Sequence, residues 1–442
     1  MNFLKKAVVA VLILESRLIL AKYKPFIVAV TGSVGKTSTK DAIYDVLSHG
    51  NLCGIDGGEL CYVRKSDKSF NSEIGLPLTV IGVPNAWRDA RAWMRNMFEG
   101  LKLILVKKEY PDCLVLEMGA DHPGDIRRVA QWLHPDISVI TQVSSTPVHV
   151  EFFESPEHVF EEKAALATAV KPGGTLVLFA DNPKVMTLAE RVAGKNVKVI
   201  SFGTSEQSMV RGSAGVVTYT DNTPSGLSFT LNMNGTSSTV SIPGIIGHSY
   251  LYPLLAAAAV GLAKNVSTAD IIQGLHHYEA PKSRMRIIAG LNGATIIDDT
   301  YNSSPDAVIS ALRTLASIQT SGRKIAALGD MLELGQYAAE EHRKIGREVI
   351  GVADLLITVG QRSRATADEA IKAGLAAEKV TSFDTSVEAA DYIKLLISSG
   401  DVILVKGSQS IRMERIVTSL MDNPADASRL VARQEREWLE KK

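Results

Sequence analysis

The chain has little cysteine, no surplus of either charge and no long apolar run. Three cysteines in 442 residues, with no CxxC pair, exclude a disulfide framework and a structural zinc site, and fit a reduced, cytoplasmic setting. Lys and Arg total 48, as do Asp and Glu, so there is no basic excess for general phosphate contacts and no nucleic-acid partner is expected. Internal repeats and low-complexity tracts are also absent. The apolar stretch from Ala7 to Leu14 follows Lys5 and Lys6 but is interrupted by Glu15, Ser16 and Arg17, too soon to cross a bilayer, and no small-residue cleavage site follows. Residues 1–24 therefore read as an apolar N-terminal helix. It could pack on the domain, lie on the inner face of a membrane through residues 1–22, or meet a second copy. A monomer is expected.

What the chain does have is length and alternation. At about 150 residues per domain, 442 residues suggest about two to four domains. From Phe26 to about residue 205, apolar runs alternate with helical patterns, as in a parallel sheet with crossover helices. FIVAV (26–30), CLVLEM (113–118), ISVITQV (137–143) and TLVLFA (175–180) are such runs, and Cys113 reads as buried strand. Between about 208 and 243 the pattern changes to apolar-polar alternation with turn residues, which predicts a small antiparallel β insert. SYLYPLLAAAAVGLA and STADIIQGL return to helix, the second capped by Ser267 or Thr268. A second α/β unit has strands at 294–299, 324–330, 354–360 and 401–407. The fold class expected is α/β: a P-loop central domain over 25–280, then a Rossmann-like C-terminal domain over 281–442.

The stretch VAVTGSVGKTSTKDAIYDVL (28–47) carries the clearest chemistry. Gly32 and Gly35 let the backbone turn so that amides around Ser33, Val34 and Ser38 can face an anion. Lys36 can reach the outer phosphates of a nucleotide, and Thr37 can bind Mg²⁺. Val30 stands where the general P-loop pattern has its first glycine, so the short GxxGKT form depends on its flanks. Those flanks, an apolar strand before it and a helix with Ala42, Ile43, Val46 and Leu47 on one face after it, weigh against a chance Gly-Lys turn. Glu117, at the end of a buried strand, is a natural Mg²⁺ ligand beside such a loop. His149 follows the next strand and Lys163 lies on the helix after that. Singly, each of these is more often a solvated or core residue; their order and location bring them together.

The segments TGSVGKTSTK, FNSEIGLPLT (70–79), LEMGADHPGDI (116–126), PVHVEFFESPEHVFEEKAAL (147–166), the SRM around Arg284, IIDDTYNSSPDA (296–307), LGDMLELG (328–335) and LVKGSQSIRME (404–414) occur in one order. With these motifs the chain resembles the Mur ligases, the ATP-dependent amide-forming enzymes of peptidoglycan synthesis, over nearly everything from residue 26 onward. Within the family it is most similar to the branch that adds D-alanyl-D-alanine to a muramoyl tripeptide. The resemblance implies that Lys36 and the loop amides bind the β- and γ-phosphates of ATP, that Thr37 and Glu117 hold one Mg²⁺, and that His149 holds a second. It implies a carbamate on Lys163, which would turn an amine into a bridging carboxylate. Arg284 and Asp299 match nucleotide-contacting positions, Asp299 at the ribose. Asn71, Tyr301, Asn302 and Asp330 fall on the substrate side, the last three nearer the incoming amine. Near the adenine the family favours an HN pair, whereas here His248 precedes Ser249. A family member would also be expected to carry a uridine-nucleotide domain first; about 25 residues stand ahead of the first strand, too few for one, so the expectation is that the anchor is absent or supplied otherwise.

The reaction implied is formation of an acyl phosphate and ADP from a peptide-type carboxylate and ATP, followed by capture by an amino-acid or dipeptide amine. Closure of the C-terminal domain, hinged near 280–284, would exclude water. Two other readings stay open: a related ligase acting on a carboxylate without a uridine handle, such as a poly-glutamate or lipid-linked precursor, and a nucleotide-binding regulator without ligase activity. The combination of Lys36, Glu117, His149 and Lys163 speaks against the regulator.

Overall fold

The computed structural model describes residues 3–49, 62–67, 74–87, 89–144 and 150–439. The apolar runs become strands because β-branched and aliphatic residues pack on a sheet covered on both faces. The first unit contains β1 (Phe26–Thr31), β2 (Val63–Lys65), β3 (Cys113–Glu117), β4 (Ile137–Ile140), β5 (Thr175–Phe179) and β6 (Lys198–Gly203). It continues into β7 (Val210–Thr220), β8 (Thr223–Met233) and β9 (Thr236–Pro243). Among the described residues these form one sheet in the order β2-β3-β1-β4-β5-β6-β7-β8-β9. The antiparallel hairpins expected between 208 and 243 are present, but they are not a separate layer. Val210 pairs in parallel with Phe202, so the hairpins extend the edge of the main sheet.

Register positions the site. Val30 pairs with Glu117 and Thr31 with Ile140, so the turn after β1, the carboxylate ending β3 and the loop after β4 share one end of the sheet. The strand expected over 137–143 stops at Ile140, and Thr141 and Gln142 become part of that loop.

The helices of this unit include α1 (Phe3–Tyr23), α2 (Lys36–His49), α3 (Gly75–Ile81), α4 (Ala90–Leu105), α5 (Asp125–Leu133) and α6 (Pro156–Thr168). Ala42, Ile43, Val46 and Leu47 of α2 are all buried, as their shared face predicts. The N-terminal helix packs on the domain: α1 lies on α3 and α4, with Val9, Leu12 and Ile19 turned inward. The Lys22 ammonium donates to the carbonyls of Leu103, Ile104 and Val106, closing the C-terminal end of α4. Among the described residues, no helix is long and apolar enough to cross a membrane.

The second unit holds β10 (Arg286–Ala289), β11 (Thr295–Asp299), β12 (Lys324–Gly329), β13 (Leu355–Val359), β14 (Val380–Phe383) and β15 (Val402–Lys406), in the order β10-β11-β15-β12-β13-β14. Only β10 runs antiparallel there, and Asp299 pairs with Lys406 at the C-terminal edge. The chain crosses between units around Arg284, where Ser283 and Met285 take left-handed φ values of 57° and 46°.

Candidate active site

After β1 the chain turns through Gly32, whose φ of 152° and lack of a side chain make room for the Thr141 hydroxyl; a Cβ there would collide with it. The Ser33 and Val34 amides donate to the Gln142 carbonyl at 2.7 and 3.3 Å, bracing the loop against the turn after β4. α2 then starts at Lys36, and its first-turn amides, through Ser38, have no partner within the helix. Orphan N–H groups and the positive end of the helix dipole make that turn an anion site. The Lys36 ammonium lies 3.1 Å from the Gly32 carbonyl oxygen and 3.5 Å from that of Ser33. Burial pushes its pKa below the usual lysine range, with the Glu117 charge opposing the shift.

Glu117 Oε1 accepts a hydrogen bond from the Thr37 hydroxyl at 3.1 Å, while its Oε2 is buried without a partner. A buried carboxylate oxygen left unsatisfied costs about 1–3 kcal/mol or more. Such an oxygen beside a threonine hydroxyl is a donor set of the kind Mg²⁺ takes, so the residues present fit a divalent cation. Among the described residues no three His, Cys, Asp or Glu side chains gather into a metal centre by themselves. His149, the other protein ligand expected from the sequence, lies outside the described residues, as does Asn71.

Lys163 enters the same space from α6. Its neighbour Glu162 is committed elsewhere, accepting the Ile126 and Arg127 amides at the start of α5, both at 2.8 Å. Lys163 is 4% exposed. Burial, reinforced by the charge on Lys36, pulls its pKa from 10.5 to about 7, against the opposing charges of Asp121 and Glu162. Its proton is therefore held less tightly than that of a solvated lysine.

The second unit supplies the facing wall. Arg284 Nη2 donates to the Thr37 hydroxyl at 3.2 Å, and its guanidinium lies 4.2 Å from the Tyr301 ring centroid. Its backbone carbonyl accepts from the Tyr250 hydroxyl, and its Nε is buried without a partner. The Lys406 ammonium holds Asp299 Oδ2 at 2.6 Å and the Asn302 carbonyl at 2.9 Å. Between the walls lies a cavity of about 710 Å³, reached by the P-loop, Glu117, Lys163, Arg284, Asp299, Tyr301 and Asn302.

Two expectations fare differently. Asp330 does not line the cavity: its carboxylate accepts the Ser363 amide at 2.7 Å and packs where Gly360 lacks a side chain. It stiffens the loop after β12, and nothing in its geometry presents it to an amine. His248 opens a short turn, His248–Tyr250, but its side chain lies outside the described ones; Ser249, Tyr250, Tyr252 and Pro253 line that wall. Lys406 is a site residue outside the sequence expectations, although a lysine ending the apolar run VILVK at a strand C-terminus is a signal. Asp121, four residues beyond Glu117, is another, and its charge acts on both buried lysines.

Two sequence families match the chain: the Mur ligase middle domain over residues 30–93 and 94–261, and the Mur ligase glutamate ligase domain over 283–409. The chain belongs to the Mur ligase family. This Mur ligase is 31% identical, over 416 residues, to the UDP-N-acetylmuramoyl-tripeptide--D-alanyl-D-alanine ligase of Mycobacterium tuberculosis, covering 89% of this chain and 72% of the relative. The Bacillus subtilis protein of the same name is 28% identical over 399 residues, covering 90% and 76%. Among solved structures, the MurF ligase from Thermotoga maritima in complex with ADP superposes with a TM-score of 0.73 at 25% identity, covering 93% of this chain and 83% of the other. The chain is thus an ATP-dependent, ADP-forming amide ligase with the two-unit α/β architecture its sequence predicts.

Proposed function

We propose that this Mur ligase joins the carboxylate of a muramoyl-linked tripeptide to the amine of D-alanyl-D-alanine. The names of its relatives support the substrate pair. The observation that carries the chemistry is the convergence of Lys36, the Thr37–Glu117 pair and Lys163 at the P-loop, opposite Arg284 and Asp299 across one cavity.

Amide formation in water is uphill unless the carboxylate oxygen becomes part of a better leaving group. A carboxylate oxygen attacks the γ-phosphorus of ATP, the bond to the β,γ-bridging oxygen breaks, and ADP leaves an acyl phosphate. The amine nitrogen then attacks the acyl carbon, the bond to the phosphate oxygen breaks, and phosphate and a proton depart. Lys36 and the first amides of α2 balance charge on the transferring group and hold the two anions together. Arg284 would meet the same group from the second unit, and Asp299, which accepts from Lys406, would take a ribose hydroxyl.

Mg²⁺ bound at Thr37 and Glu117, with a second ion at His149 and a carbamate on Lys163, would supply Lewis-acid stabilisation of the phosphoryl oxygens. The buried Lys163 amine, its pKa lowered to about 7 by burial and the Lys36 charge, supports that modification, because its neutral form can add CO₂ and lose a proton, leaving an anion beside Lys36. Rotation about residues 280–284 would close the second unit on the first and exclude water from the acyl phosphate.

The test is phosphate release, with product masses recorded. The expected result is release that requires both UDP-N-acetylmuramoyl-tripeptide and D-alanyl-D-alanine, with the pentapeptide as product. Equal turnover of donors lacking uridine diphosphate would move the assignment to a carboxylate without a nucleotide handle. No amine-dependent turnover with any donor would overturn the ligase reading for this chain.

A further inference from the structure

The N-terminal helix is buried on one side, and its other side is unusual. Along α1 the solvent-facing stripe includes Val11, Leu14 and Leu18, with alanines at 7, 10 and 21 and Arg17 among them. The carboxylate of the helix is on the inner side: Glu15 is packed where Gly100 of α4 lacks a side chain. An ordinary surface helix has the reverse arrangement, with charge outward and aliphatic groups inward.

α4 repeats the pattern. Met94, Phe98, Leu101 and Leu105 face solvent at helical spacing, Phe98 and Leu105 being 55% and 73% exposed. Glu15 against Gly100 and Lys22 over the end of α4 fix the helices side by side and pointing the same way. With the core below both, the helical period carries the two apolar stripes onto the same outer side. The exposed apolar residues thus follow a stripe on each helix rather than scattering singly.

Charge decides what covers it. Residues 1–24 and 84–109 contain eleven Lys or Arg against four Asp or Glu, in a chain balanced at 48 of each. Of those four, Glu15 is buried and Asp89 caps α4. A second copy docking through this face would set like charge against like. A sheet of anionic headgroups over an apolar interior complements both features at once.

We infer that the outer side of the α1–α4 pair binds an anionic lipid bilayer, on which the protein lies peripherally with Leu14, Leu18, Phe98 and Leu105 dipping below the headgroups. The inference is independent of the reaction assigned above.

Co-sedimentation of the full chain with vesicles tests it. The protein is expected to pellet with vesicles of equal parts phosphatidylglycerol and phosphatidylcholine, not with phosphatidylcholine alone, and to be released by high salt. Replacing Leu14, Leu18 and Phe98 together by Glu should reduce the bound fraction by roughly tenfold, leaving the melting temperature and turnover of water-soluble substrates unchanged. The pair Arg91→Glu and Arg95→Glu reports on the charge alone and leaves the apolar stripes intact. The proposal is overturned by absence of binding to either vesicle, by equal binding to both, or by binding that neither variant weakens. A concentration-dependent dimer abolished by Phe98→Glu, with no vesicle binding, would assign the face to a second copy instead.

Discussion

Two buried amines a short distance from one triphosphate site need different chemistry to coexist. Lys36 keeps Glu117 nearby as a counter-charge, whereas for Lys163 burial and the Lys36 charge together hold the amine near neutrality. Lys163→Ala should therefore lower kcat by roughly a hundredfold or more, with partial recovery on adding formate or acetate and an unchanged melting temperature. Full activity in the alanine variant would remove the carbamate from the account. Glu117→Gln should reduce turnover similarly and weaken the dependence of nucleotide binding on Mg²⁺, measured by titration calorimetry with and without the ion. Away from the site, burial raises Glu15 from 4.5 to about 7 in the fold. Its protonated form is the one the fold favours, so its contribution is fully present below about pH 4.5 and is lost as pH rises through about 7. Glu15→Gln should stabilise the protein by about 1–3 kcal/mol at pH 8 and change little at pH 4, read from urea unfolding. Equal effects at both pH values would contradict the buried-acid assignment.

At the scale of elements, the strand–loop–helix unit around Lys36 was legible because its determinants are local: an apolar strand, two glycines and an amphipathic helix. Gly32→Ala should abolish nucleotide binding, since the new methyl group meets the Thr141 hydroxyl while φ stays strained. Wild-type binding in that variant would contradict the loop geometry. The four central strands of the second sheet were legible for the same reason, as continuous apolar runs. Its edge strands were not. Arg286–Ala289 and Val380–Phe383 are four residues each and partly exposed, so neither shows a long apolar run. The attachment of the 210–243 hairpins to the main sheet depends on pairing Phe202 with Val210, and strand pattern alone does not say which edge a hairpin joins. The position of Asp330 away from the cavity has a related cause. A carboxylate at a strand end commonly faces a ligand, but here a tight turn at Gly360 aims the Ser363 amide at it.

At the scale of the molecule, the site exists only where the two units meet. The contact from Arg284 to Thr37 spans 247 positions in the chain, and that between Asp299 and Lys406 spans 107, separations that no local pattern encodes. Arg284→Ala should raise KM for ATP by roughly tenfold, because it removes a guanidinium from the phosphate side and a link between the units. Small-angle scattering of that variant with nucleotide should show a more open particle than the wild type, and identical curves would leave Arg284 without a role in closure. The central claim is that ATP energises the substrate acid by phosphorylating it. The most direct measurement uses a donor whose reacting carboxylate carries ¹⁸O at both oxygens, with mass analysis of the phosphate released during amide formation. One ¹⁸O atom per phosphate is predicted, carried over from the carboxylate through the acyl phosphate; unlabelled phosphate accompanying product would contradict it.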